Sequence, residues 1–167
     1  SPNKWIFDRG GGGTQHADRL REQGHKGVRT VAFGETLTLD PKRGLRMIEE
    51  KIDNKEDKYV FKNRRAQMYM ELRFLMDPSL PTQLAGGHGF GIPRQYTELR
   101  RQMAPIPITT DGEGRYYLIP KSKKSATDEG PTLTDLCGRS PDDLDSLALA
   151  VFGMLHVKKQ VYAGALG

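Results

Sequence analysis

Cysteine is almost missing from this sequence: 167 residues contain one, Cys137. A lone thiol closes no internal disulfide, so packing must hold the fold, and a reducing, intracellular setting is expected. Cys137 sits at the end of the stretch 133–136 and reads as buried filler rather than as a nucleophile. Long apolar runs are missing too. No stretch approaches the roughly 20 residues that span a bilayer, and no charged-then-apolar leader is present, so neither a membrane protein nor a secreted one is expected. The four histidines, His16, His25, His88 and His156, show no spacing that suits zinc. No serine or cysteine stands in a nucleophile-elbow context.

What is present describes one globular domain. Hydrophobic residues make up 36% and charged residues 28%, a balance that suits a packed core and excludes a disordered chain. We expect a single domain over residues 1–167, with no internal repeat. A net charge of +5 favours a polyanionic partner. The basic residues cluster at 42–46, 58–65, 94–101 and 121–124.

Trp5-Ile6-Phe7-Asp8 reads as a short buried strand that ends in a carboxylate. Four glycines follow (residues 10–13), then Thr14 as the expected cap of a helix to about Gln23, then a second strand over 28–33. Strand, glycine turn, helix, strand is an α/β unit. A turn of helix is expected near 45–51. A long helix is predicted over 60–76, where Phe61, Met68, Tyr69, Leu72, Leu75 and Met76 recur at helical intervals, and Asp77-Pro78 ends it. A glycine-rich loop (84–93) and a short helix (93–103) follow. Residues 106–110 and 115–120 flank Asp111-Gly112-Glu113-Gly114 as a β-hairpin. A charged loop over 121–130 leads to a final helix, from Ser140-Pro141 to about residue 157.

Two phosphate-binding patterns fail. Glycines 10–13 with Thr14 lack the lysine of a phosphate loop. A dinucleotide fingerprint needs an acid about 20 residues on, where Glu35 stands near the required place, so a nucleotide-cofactor reading stays open. The final helix is richer. Ser140 suits a cap, Pro141 the first helical position, and Asp142 and Asp143 the positive end of the helix dipole. Asp145 falls beyond that need, immediately ahead of Leu147, Ala148, Leu149, Val151 and Phe152. Asp142 and Asp145 share a face. Two carboxylates held together near a core repel unless a cation lies between them, and oxygen ligands suit Mg²⁺ or Mn²⁺. Spacing alone admits both readings, capped helix and metal pair. Asp8 is a third acid, placed where open α/β sheets bind ligands, although a turn-forming aspartate before glycine reads the same way.

Taken together, "WIFDRGGGGTQHADRLREQG", "VRTVAFGE", "FKNRRAQMYMELR", "GRYYLIPKSK" and "GRSPDDLDSLALAVF" resemble, in family order, the nuclease domain of large terminase subunits of tailed bacteriophages. The resemblance covers nearly the whole chain. It implies an α/β fold of ribonuclease H type, a mixed sheet flanked by helices, and two divalent ions, Mg²⁺ or Mn²⁺, that cut double-stranded DNA with little sequence preference. By position, Asp8 matches the acid of the central strand, and Asp142 and Asp145 the acidic pair of the last helix, with Asp143 a substitute for either. Lys121 matches the basic residue after the hairpin, set to contact the scissile phosphate. Lys62, Arg64, Arg65, Lys123 and Lys124 are expected to hold the DNA backbone. The family has another aspartate on a strand upstream of the segment matched here, so the chain is expected to be the C-terminal part of a larger ATPase–nuclease protein that lacks the first strands. Portal, small terminase subunit and the ATPase domain of the same protein are the implied partners, and the host cytoplasm the implied location. The alternative is a non-catalytic DNA-binding or motor-docking module whose acids cap helices.

Overall fold

The computed structural model describes residues 4–35, 60–77, 90–107 and 109–156. The helical turn near 45–51, the basic cluster at 42–46, most of the loop 84–93 and His88 lie outside the described residues. Aromatic and β-branched side chains build β1 (Trp5–Asp8), which pairs in parallel with β2 (Val28–Val31), Trp5 beside Val28 and Asp8 beside Val31. A parallel pair needs a crossover, supplied by α1 (Gly13–Glu22). This helix lies against β1: His16 stacks on Phe7 with ring centroids 6.4 Å apart. Gly12, not Thr14, occupies its cap position, and the Thr14 hydroxyl donates to the Arg9 carbonyl at 3.3 Å.

The expected second strand reached Phe33, but the ladder stops at Val31 for a definite reason. The carbonyls of Phe33 and Glu35 accept the backbone N–H groups of Arg65 and Arg64, each at 3.0 Å. Those donors open α2 (Arg64–Met76) and have no partner within the helix. Asn63 completes the start, accepting from the Ala66 N–H at 2.9 Å. Residues 60–62 therefore do not extend the helix. They run beside the hairpin, with Tyr116 N–H to Val60 carbonyl at 2.7 Å and Lys62 N–H to Tyr116 carbonyl at 2.8 Å. α2 is the central helix, buried at Ala66, Met68, Tyr69, Met70, Leu72 and Leu75.

α3 (Thr97–Met103) starts later than Pro93. The hairpin is β3 (Thr109–Thr110) and β4 (Tyr116–Tyr117), antiparallel around the expected loop. Among the described residues the strands thus form a parallel pair and an antiparallel pair, beside helices. A helix absent from the sequence reading, α4 (Leu133–Cys137), is fixed by a reciprocal capping box between Thr132 and Asp135. α5 (Asp142–His156) closes the described chain. Its Leu144, Ala148, Leu149, Val151 and Phe152 join Met68, Tyr69, Leu72 and Leu75 of α2 and Val31 of β2 in one core. No helix among the described residues is long and apolar enough to cross a membrane.

Candidate active site

The first turn of α5 carries Asp142, Asp143 and Asp145, and their surroundings separate them. Asp145 is 8% exposed. Its Oδ1 accepts the Tyr69 hydroxyl at 2.5 Å and the Arg65 guanidinium at 2.9 Å (Nη2) and 3.1 Å (Nε). Its Oδ2 accepts Lys121 Nζ at 2.9 Å. The same ammonium donates to Asp142 Oδ1 at 2.5 Å, and the Ser140 hydroxyl adds a bond to that oxygen at 2.8 Å. One positive nitrogen therefore bridges carboxylates three residues apart on the helix. Asp143 turns elsewhere, to Gln102 Nε2 at 2.8 Å and Arg139 Nη2 at 3.0 Å.

Asp8 closes β1, with its Oδ1 accepting the Gly10 N–H at 3.3 Å. The β1–β2 pair and α5 are in contact: a Cβ on Gly153 would stand 3.3 Å from Ile6 Cγ2. The ends of the strands lead toward the acids, because Phe33, just past β2, binds the backbone of Arg65, whose side chain holds Asp145. Among the described residues, however, no three His, Cys, Asp or Glu side chains gather into a metal-binding group, so Asp8, Asp142 and Asp145 are not a ready-made triad.

The charges reinforce one another. Partial burial works against the Lys121 ammonium, but its hydrogen bonds to Asp142 and Asp145 outweigh that and hold its pKa above the ordinary lysine value. The Lys121 bond, followed by that from Ser140, holds the Asp142 carboxyl below the usual range. Burial pushes the Tyr69 hydroxyl upward; the Arg65 cation opposes this and Asp145 adds to it, leaving the phenol a firm donor. Lys121 is placed by its backbone, since α4 binds its carbonyl through the Thr134 N–H at 3.1 Å and the Thr134 hydroxyl at 2.7 Å.

The other expected basic residues divide. Lys62 is exposed and lies 5.4 Å from the Tyr117 ring centroid, and Lys123 and Lys124 are exposed in the loop after the hairpin. Arg64 turns inward, donating to Gln67 at 2.7 Å over the Phe152 ring, and Arg65 is committed to Asp145. Glu35 stands 3.6 Å from Arg64. Two contributors escaped sequence reading. Tyr69 sits in the apolar stripe of α2, where its ring signals core and its hydroxyl signals nothing. Gln102 is fully buried on α3, accepting the Leu144 N–H at 3.1 Å and so capping α5 from outside.

No protein-family model matches the chain, and no curated protein matches it. Among solved structures, a lysine-to-alanine mutant nuclease domain of the large terminase subunit gp2 of bacterial virus Sf6, with manganese, superposes with a TM-score of 0.56 at 17% identity, covering 89% of this chain. The fold is similar to that of a phage terminase nuclease domain. The same mutant domain with manganese and β-thujaplicinol matches equally, TM-score 0.56 and 17% identity, over 89% of this chain and 64% of that one. The chain spans 65% of the first terminase domain's length. Within this terminase-nuclease-like α/β fold, the donor set at α5 suits a hard cation. Asp142 Oδ1 and Asp145 Oδ2 stand 2.5 and 2.9 Å from one positive nitrogen, so two carboxylate oxygens from separate residues face a single cationic group.

Proposed function

We propose that this chain is a metal-dependent endonuclease domain of a viral DNA-packaging motor, cutting double-stranded DNA with little sequence preference. The observation that carries the reading is the convergence of Asp142 and Asp145 on the Lys121 ammonium at the start of α5. Those two carboxylates are the residues that would hold Mg²⁺ or Mn²⁺, with Asp8 contributing from the end of β1 and Asp143 in reserve. Once bound there, a divalent ion supplies an acidified water and neutralises charge on a phosphodiester. Lys121, released from the acids, would meet a phosphate oxygen. The exposed Lys62, Lys123 and Lys124 grip the DNA backbone without reading bases. The larger setting proposed is the C-terminal part of an ATPase–nuclease protein in the host cytoplasm, working with a portal and a small terminase subunit.

A second reading has its own support. Every oxygen of the buried Asp145 is already paired with Arg65, Tyr69 or Lys121, which a non-catalytic DNA-binding or docking module also requires. Supercoiled plasmid separates the two. Nicking that needs Mn²⁺ or Mg²⁺, stops with chelator and disappears in Asp145→Ala is the expected result. Salt-sensitive DNA binding without any nicking favours the docking module.

A further inference from the structure

We infer that Arg65 and Tyr69, one turn apart on α2, are positioning residues that make Asp145 a one-oxygen ligand, engaging Oδ1 so that Oδ2 alone faces the cation place shared with Asp142. The inference rests on the reading of Asp142 and Asp145 as a divalent-cation site and concerns how that site is shaped.

A carboxylate offers about two lone-pair directions on each oxygen. On Asp145 the directions at Oδ1 are used up by three donors: the Tyr69 hydroxyl and the Nε and Nη2 groups of Arg65. At Oδ2 the described residues supply Lys121 alone. Chelation of one ion by both oxygens is therefore closed off, whereas a single bond from Oδ2 beside Asp142 becomes available once the Lys121 ammonium leaves. A hard cation held by one oxygen from each acid keeps most of its coordination positions for water and phosphate oxygens, as Mg²⁺ sites do.

The two donors brace each other. The Arg65 guanidinium lies over the Tyr69 ring, 5.4 Å from its centroid. On another side, the Tyr69 ring borders a cavity of about 300 Å³, with Met70, Met76, Met103 and Leu118 among its walls. The walls on that side are largely apolar, so the polar contacts of the ring's hydroxyl are with Asp145. Arg65 is anchored at both ends, since its backbone N–H binds the Phe33 carbonyl while its side chain binds the acid. Its side chain is only 13% exposed, so it serves Asp145 rather than the DNA surface.

Mn²⁺ binding to the protein, followed by the paramagnetic signal of the free ion, tests this without any cleavage. Asp145→Asn reports on the cation site itself. Tyr69→Phe and Arg65→Lys are expected to weaken binding about tenfold, the usual effect of losing a partner that orients a metal ligand. Lysine keeps the charge of Arg65 without its two-pronged geometry. Leu72→Val, on the same helix but away from Asp145, is the stability control: its melting point falls in chelator while Mn²⁺ affinity stays at the wild-type value. If Tyr69→Phe does not fold, Arg65→Lys carries the test. Wild-type affinity in both Tyr69→Phe and Arg65→Lys, with binding lost in Asp145→Asn, overturns the positioning role and leaves the cation site standing. Wild-type affinity in Asp145→Asn removes both.

Discussion

At the scale of single residues, four aspartates gain hydrogen bonds that their charged forms need, and each is held below the ordinary carboxylate range. For Asp111 the chief cause is the Arg115 side chain; for Asp128, the backbone N–H groups of Lys124 and Ser125. For Asp135 it is Thr132, and for Asp142 Lys121. A carboxyl whose folded pKa lies below its unfolded value, about 4, contributes stability that is fully present above that value and is lost as pH falls through the folded one. The urea midpoint is therefore expected to hold down to about pH 4 and to fall below it. Asp135→Asn, which removes the charge from the α4 capping box, should flatten that drop; an unchanged acid profile would mean that the box does not favour the ionised carboxylate in the folded chain. The same scale shows what sequence can and cannot reveal. Asp142 and Asp145 were legible because their spacing puts two charges on one helical face beside apolar residues. Tyr69 was not, because a tyrosine among Met68, Met70 and Leu72 looks like packing until its hydroxyl has a partner. Nor was the inward turn of Arg65, which shares its basic run with the exposed Lys62.

Among the elements, β1 is gripped from two directions, and glycine permits both contacts. A Cβ on Gly13 would stand 1.7 Å from the Asp8 carbonyl oxygen, so α1 can start this close to the strand only with hydrogen at that position. A Cβ on Gly153 would meet Ile6 at 3.3 Å, a contact with the side chain rather than with backbone. Gly13→Ala is expected to cost toward the upper end of the roughly 1–3 kcal/mol typical of overpacking, because backbone must shift, and Gly153→Ala markedly less. Chemical denaturation of the two variants side by side measures the difference, and equal losses would contradict the fit of α1 on β1. The glycine run signalled a tight turn in the sequence, yet which glycine mattered depended on a non-local approach of helix to strand. Element boundaries slipped for similar reasons. β2 gives up its last residues to α2, and residues 60–62 join the hairpin, because backbone donors sought partners far away in sequence. α4 is only five residues long, too short to show a period, although its Thr132 and Asp135 carried the capping signal.

Over the whole molecule, a terminase-nuclease-like α/β fold brings the end of the first strand pair, the start of the central helix and the start of the last helix to one region. The order of these elements was readable because each has a strong local signature. The charge pattern inside the region was not, since Lys121, Arg65 and the two acids come from separate segments. Two cations, Arg65 and Lys121, face the buried Asp145 and the exposed Asp142, so the charges there are balanced without any ion, and a divalent cation held by both acids would take the place of Lys121. Anomalous scattering from crystals grown with Mn²⁺ would locate that ion directly. The account requires a peak coordinated by Asp142 and by Oδ2 of Asp145, with Oδ1 still on Tyr69 and Arg65 and the Lys121 ammonium moved away. A Mn²⁺ peak elsewhere, with Lys121 still bridging the two aspartates, would contradict it.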